Sequence, residues 1–402
     1  MRNKAPFILF VISFFVVLVV PFSVSCGGGV TSAANPAPTP VPGTTTGTLA
    51  PSRFIYGITA FEADGIYAGQ IDGASGSVTP LAGNPYANSL GQNIVIQVPV
   101  DPKGRFFYML NLGASSFGNV LGRPGIAAYQ IDQANGGLTP VPNGAVVFPA
   151  TRSGRLAIDG LGRFLYEPNV ASFDLYSIDQ GSGLLGSAAR TTLAPVGYFI
   201  VASADGRFVF NAGNQVAPGP LGSGMVQAGS INQTTGQLTS AGTALATGGS
   251  AGPMALSRDG MSLYVANTTE GNIAVFNVSS TGSLAPAVGS PFTTSAGTVG
   301  MTVTPDGKFL YVVSTTSAIA STVTGYAVNP LTGVFRAIPG AVVDATTIAI
   351  DGSGKFAYIT ELMPTSTQLS TYVIDPATGA LVRASQTSRP ISQEPLDVAV
   401  AQ

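Results

Sequence analysis

Pro305-Asp-Gly-Lys-Phe-Leu-Tyr311 is a tight polar turn that runs into a basic residue and then an aromatic–apolar–aromatic triplet. The pattern recurs at Asp101-Pro-Lys-Gly-Arg-Phe-Phe-Tyr108, Asp159-Gly-Leu-Gly-Arg-Phe-Leu-Tyr166, Ala204-Asp-Gly-Arg-Phe-Val-Phe210, Arg258-Asp-Gly-Met-Ser-Leu-Tyr264 and Asp351-Gly-Ser-Gly-Lys-Phe-Ala-Tyr358. A headless copy, Arg53-Phe-Ile-Tyr56, makes seven. Residues two apart on a strand share a face, so Phe309 and Tyr311 point one way and Leu310 the other. Both faces are apolar, which predicts a strand covered on both sides. The copies recur at roughly 45–58 residues, the period of a blade in a radial array rather than of one layered core.

Working outward, each copy is flanked by further strands. Short apolar runs precede the turns at Ile94–Val98, Leu156–Ile158, Phe199–Ala202, Met254–Leu256, Met301–Val303 and Ile348–Ile350. Period-two stripes follow the triplets, as at Ile66–Ile71, Ile126–Ile131, Phe173–Ile178, Ile273–Val278, Val323–Val328 and Leu369–Ile374. Gly-containing turns such as Asn329-Pro-Leu-Thr-Gly333 and Asp375-Pro-Ala-Thr-Gly379 then lead to a weaker fourth strand. Only the Phe54 copy has no strand before it, and only Leu396–Val400 has no turn after it. These two ends complete one blade. The reading is all-β: a seven-bladed β-propeller of four-stranded antiparallel blades, closed by the C-terminal strand pairing in the first blade. Closure leaves no exposed edge.

The repeat residues themselves read as structure. The Phe and Tyr side chains are core, each worth ~1.5–3 kcal/mol when buried. Asp-Gly is turn chemistry, because Gly accepts positive φ without cost. Arg105, Arg163, Arg207, Lys308 and Lys355 recur at one turn position and are expected to ring the bottom face, solvated.

Composition narrows the function. Charged residues make up 9% of the 402 residues, the net charge is −2, and there is no His and no Trp. Such a chain exerts no long-range pull on nucleic acid, so no nucleic-acid partner is expected. The N-terminus reads separately. Arg2 and Lys4 precede an apolar run, Phe7–Val20, too short for a comfortable span, then Ser23-Val-Ser-Cys26-Gly27. This looks like a bacterial lipoprotein signal, residues 1–25, with the sole cysteine, Cys26, lipidated and inserted in a bilayer. An ordinary signal peptide or an uncleaved anchor is the alternative. Residues 26–50, rich in Gly, Pro and Thr, read as a disordered tether, and 51–402 as the propeller. The expected address is the bacterial cell envelope, facing the periplasm or on the outer membrane where there are two membranes. A monomer is expected.

Insertions gather on one face. The loops between second and third strands swell at Leu112–Gly125 and Asn214–Gly224. Length variation confined to one face marks a binding face, here the top mouth of the channel. Polar residues before first strands are Asn93, Arg152, Arg155, Tyr198, Asp344, Glu394 and Asp397; after second strands stand Asn111, Glu167, Asn169, Asn211, Asn267 and Glu361. A buried Glu suits a general base and an Arg an oxyanion, so Glu361 and Glu167 are the catalytic candidates. Arg152, Arg155, Asn111, Asn169, Asn211, Asn267, Asp344 and Glu394 are the binding candidates. Without His, and with Cys26 spent, the usual zinc set is excluded. No metal or cofactor is implied.

The turn Pro305-Asp-Gly-Lys-Phe-Leu-Tyr311 and the stretch Tyr358-Ile-Thr-Glu-Leu362 resemble the lactonase-type seven-bladed propellers, the 6-phosphogluconolactonase-like family, adjoining the surface propellers with Tyr-Val-Thr-Asn repeats. The resemblance runs from about Pro51 to Gln402. It implies a hydrolase of cyclic esters, with Glu361 as the residue carried over. The family's His-containing stretch before a first strand has only Gly252-Pro-Met-Ala255 as its counterpart. Two readings follow: a lactonase-like hydrolase outside the cytoplasm, or a non-catalytic propeller binding a protein, glycan or small ligand on its looped face.

Overall fold

The computed structural model describes residues 53–59, 65–90, 95–111, 115–116, 119–120, 124–148, 154–169, 172–193, 197–214, 223–317, 320–329, 335–340, 342–343, 345–363, 366–389 and 395–401. The signal, Cys26 and tether lie outside them, as do Asn93, Arg152, Asp344 and Glu394. Among the described residues no helix is long and apolar enough to cross a membrane.

Seven antiparallel blades follow one another in chain order. Their second strands are Phe54–Thr59, Phe106–Asn111, Phe164–Pro168, Phe208–Asn214, Ser262–Asn267, Phe309–Ser317 and Phe356–Met363. These are the repeat triplets and their continuations. Inner strands such as Phe199–Ala202 and Ala345–Ile350 lie on one side and third strands such as Gly125–Ile131 and Ser366–Ile374 on the other. The third strand of blade 4, Gly224–Ile231, carries Gln and Gly in its stripe and is the least legible of the set.

The ring closes as expected. Pro395–Ala401 pairs antiparallel with Phe54–Thr59, placing Ala401 opposite Phe54, Val400 opposite Ile55 and Val398 opposite Gly57. Blade 1 is therefore built from the first and last strands of the described residues.

Neighbouring blades are joined by a repeated clasp. In six of the seven triplets the leading Phe lies over a glycine in the third-to-fourth-strand turn of the next blade. A Cβ on Gly136 would sit 2.3 Å from the Phe54 ring, on Gly183 2.4 Å from Phe106, on Gly379 2.4 Å from Phe309 and on Gly76 2.5 Å from Phe356. These glycines also hold φ between 71° and 76°, where a side chain is strained. The triplet's Tyr then donates to the carbonyl of the same glycine: Tyr56 Oη to Gly136 O at 2.8 Å, Tyr108 to Gly183 at 2.9 Å, Tyr166 to Gly236 at 2.8 Å and Tyr311 to Gly379 at 2.7 Å. Burial first of all pushes these phenols well above their ordinary range, so they stay donors at any physiological pH.

Where the basic residue of the turn is an arginine it belongs to the same device, which corrects the expectation of a merely solvated ring for Arg105, Arg163 and Arg207, while Lys308 and Lys355 stay exposed. Arg105 lies over Phe106 at 4.9 Å, bonds Asp101 in its own turn at 2.9 Å and donates to Gln180 O of the next blade at 3.0 Å. Arg53, Arg163 and Arg207 reach Gln133 O, Gln233 O and Ser280 O in the same way. A guanidinium spans this gap because it carries several donors in a fixed fork.

Two outcomes test this architecture. Tyr108→Phe should cost about 1 kcal/mol in urea denaturation, one net hydrogen bond. Gly183→Ala should cost more, since it adds strain at φ 76° to a clash with Phe106. Equal stability of both variants with the parent would refute the clasp.

Candidate functional site

The second strands end at the top face, and their sixth residue is polar in several blades: Asn111, Asn267, Ser314 and Glu361 are all nearly fully buried there. Even positions of these strands face the preceding blade, as Phe107 and Met109 do in the core shared by blades 1 and 2. Asn111 Nδ2 donates to Asn88 Oδ1 at 3.3 Å. Asn267 Nδ2 donates to Thr247 O at 2.7 Å and to Asn272 Oδ1 at 2.6 Å. Asn211 exchanges bonds with both Gly197 N and O at 3.0 Å and donates to Phe199 O at 2.9 Å. It pins the start of its own inner strand. Asn169 closes a turn, with its N–H donating to Ser172 O at 2.8 Å.

Glu361 sits 1% exposed in blade 7, opposite Gln368. Its Oε1 accepts from Tyr372 Oη at 2.6 Å, and Arg383 Nη2 donates to Oε1 at 2.7 Å and Oε2 at 2.8 Å. Arg383 also packs over the Tyr372 ring at 5.3 Å and donates to Gln386 Oε1 at 2.9 Å. This group joins the second, third and outer strands, reaching outward along the blade. Both carboxylate oxygens are taken, so Arg383 would have to move aside before Glu361 could accept a proton from water. Burial, then the hydrogen bond to Glu361, raises the Tyr372 phenol to about 12. Burial works against the Arg383 charge, but the bonds to Glu361 outweigh it and hold its pKa above the ordinary value.

Glu167 is fully buried at the fourth position of its strand, in Phe164–Pro168. It lies directly opposite Asp174, also buried, and Asp174 lies opposite Arg190, with Nε to Oδ1 at 3.9 Å. Two buried carboxylates thus stand side by side at the top of blade 3. Arg155, at the start of the inner strand of that blade, donates its N–H to Tyr198 O of blade 4 at 2.9 Å. The structure brings Glu167, Asn169 and Arg155 to blade 3, and Asn211 to blade 4, while Glu361 belongs to blade 7. No group of His, Cys, Asp and Glu suited to a metal ion occurs among the described residues.

Sequence reasoning missed Arg383, Tyr372 and Asp174 as site residues. Tyr372 and Asp174 stood in recognised third strands, and a cross-strand register would have placed them. Arg383 stands on an outer strand without a motif, so it left no comparable signal.

The comparisons with known proteins agree with the fold. Residues 169–298 match the family described as lactonase, 7-bladed beta-propeller. No curated protein matches the chain. A candidate 6-phosphogluconolactonase from Bacteroides fragilis superposes with a TM-score of 0.66 at 16% identity, covering 90% of this chain and 100% of its own. The periplasmic gluconolactonase of Pseudomonas aeruginosa does so with 0.66 at 17% identity, covering 88% and 99%. In fold the chain is a seven-bladed β-propeller like the two proteins it superposes on.

Two outcomes check the Glu361 group. Arg383→Leu leaves a buried carboxylate uncompensated and should cost ~1–3 kcal/mol, between the surface and buried limits because the arginine is partly exposed. Tyr372 stays protonated in the fold up to about 12, against the ordinary phenol value of 10.0. Its contribution is therefore complete below pH 10 and lost as pH rises toward 12. Tyr372→Phe should flatten stability over that window in denaturation at stepped pH; an unchanged profile would contradict the assignment.

Proposed function

We propose that the protein is a lipid-anchored envelope hydrolase of cyclic esters, working at the looped mouth of the ring. The observation that carries this reading is the lactonase-family match over residues 169–298, from the end of the blade 3 second strand to the start of blade 6. Supporting it is the fold shared along the ring with the Pseudomonas aeruginosa periplasmic gluconolactonase. Opening a lactone requires an activated water and a stabilised oxyanion. The chain has no His, so another group takes the part of the base, and a buried carboxylate suits it. Glu167 is the choice: it is buried at a second-strand end, directly opposite a second buried carboxylate, Asp174. A mouth guanidinium serves the oxyanion. The signal-like N-terminus and Cys26 supply the envelope address.

A second reading, a non-catalytic recognition propeller, is favoured by Glu361. That residue is the one the family resemblance carries over, and it is occupied by Arg383 and Tyr372.

The full chain in detergent, assayed against a panel of aldonolactones, should open at least one faster than buffer does. Glu167→Gln should lower that rate by ~100-fold or more. A flat panel would remove the enzyme reading. Palmitate labelling of the expressed chain, abolished by Cys26→Ser, checks the anchor.

A further inference from the structure

In every blade an aliphatic residue stands at the lower end of the inner strand. Register fixes the equivalence, because each pairs with the middle member of a triplet: Val100 with Phe107, Ile158 with Leu165, Ala202 with Val209, Leu256 with Leu263, Val303 with Leu310, Ile350 with Ala357 and Val400 with Ile55. All seven are half-buried. An inner strand has its second strand behind it and neighbouring inner strands beside it, so its open side is the central channel. The seven residues therefore make a collar around the lower channel. Side chains that met on the axis would bury one another; these stay partly open, so room remains between them.

The lining changes with height. One residue above the collar the side chains are small in four blades, at Ala157, Ala255, Ala349 and Ala399. Polar side chains stand higher, at Gln97, Thr298, Thr346 and Thr347. Among the described side chains of the inner strands none is charged. The inner strand Thr298–Val303 is six residues long, which puts the collar about 16 Å below the strand's upper end.

We infer that the channel takes the alkyl tail of an amphiphilic cyclic ester, whose ring stays at the mouth while the tail reaches the collar. The lining is graded as such a molecule is, polar at one end and aliphatic at the other. Burying methylenes against Val, Ile and Leu is favourable along the whole tail. A hydroxylated chain in the same place would lose water without gaining acceptors. The inference rests on the hydrolase reading and gives it a substrate class: lactones with an unbranched aliphatic side chain, in preference to sugar lactones.

A chain-length series on the full protein in lipid nanodiscs tests it. For γ-lactones bearing methyl, butyl and octyl side chains, kcat/KM should rise about fourfold for each added methylene that is buried. Calorimetric titration with the matching γ-lactams, which do not hydrolyse, should show the same trend in Kd. Val303→Thr combined with Val400→Thr keeps side-chain shape and should cut the octyl-to-methyl ratio by about tenfold, with gluconolactone turnover and the melting temperature unchanged. Ala202→Phe fills the gap in the collar and should weaken the octyl lactam while sparing the methyl one. Lactam affinity indifferent to chain length, no lactam binding at all, or a trend untouched by both variants would each overturn the inference. A chain-length trend in the lactam titrations without turnover of any lactone would uphold the apolar channel and remove the hydrolase. Lactone turnover without that trend would do the reverse.

Discussion

The clasp between a blade's leading aromatic and a glycine of the next blade is the constraint on which the ring depends. A ring of seven blades has no continuous core; it has a separate core at each interface, as the separate buried clusters show. Something must fix the angle and height at which each sheet meets its neighbour. Here the Phe ring occupies the space a side chain would need on the turn glycine, the Tyr hydroxyl takes that glycine's carbonyl, and the basic residue takes a carbonyl a few residues earlier. Apolar contact, hydrogen bond and charge converge on one turn. A lone blade could satisfy none of them, so stability belongs to pairs of blades.

The departures from the pattern are informative. Blade 4 has Phe210 in place of Tyr, so it lacks that hydrogen bond and keeps the aromatic contact, Phe208 against Gly282, and the arginine bond, Arg207 to Ser280 O. Blade 5 places Met261 and Ser262 where the others have a basic residue and Phe. At the seam, Thr371 Oγ1 rather than Tyr358 donates to Gly76 O, at 3.1 Å, while Phe356 still covers that glycine. The seam is thus held by a side chain of the third strand, and by the pairing of the chain's last strand with its first.

The fold was legible because the repeat encodes it locally. Asp-Gly turns, the Phe-x-Tyr triplet and the stripe after it are read within a dozen residues, and the unmatched Leu396–Val400 run required closure. What was not legible lies in pairings between residues far apart. Arg105 reaches a carbonyl 75 residues away, and Arg163 one 70 residues away, so a turn residue read as solvated became a staple. The site was read less well for the same reason. Glu361 was visible from its motif, but Arg383 sits 22 residues further on, on an outer strand with no repeated signature. Asn211 and Asn267 were picked out as polar residues at the mouth, and each proves to bond nearby loop backbone, where a propeller top needs its strand ends fixed.

Native-state hydrogen exchange of the Pro395–Ala401 amides tests the closed ring most directly. If the last strand completes blade 1, its amides exchange as slowly as those of Phe106–Asn111 and only through global unfolding. Rapid exchange typical of a frayed terminus, with the Phe106–Asn111 amides still protected, would contradict it.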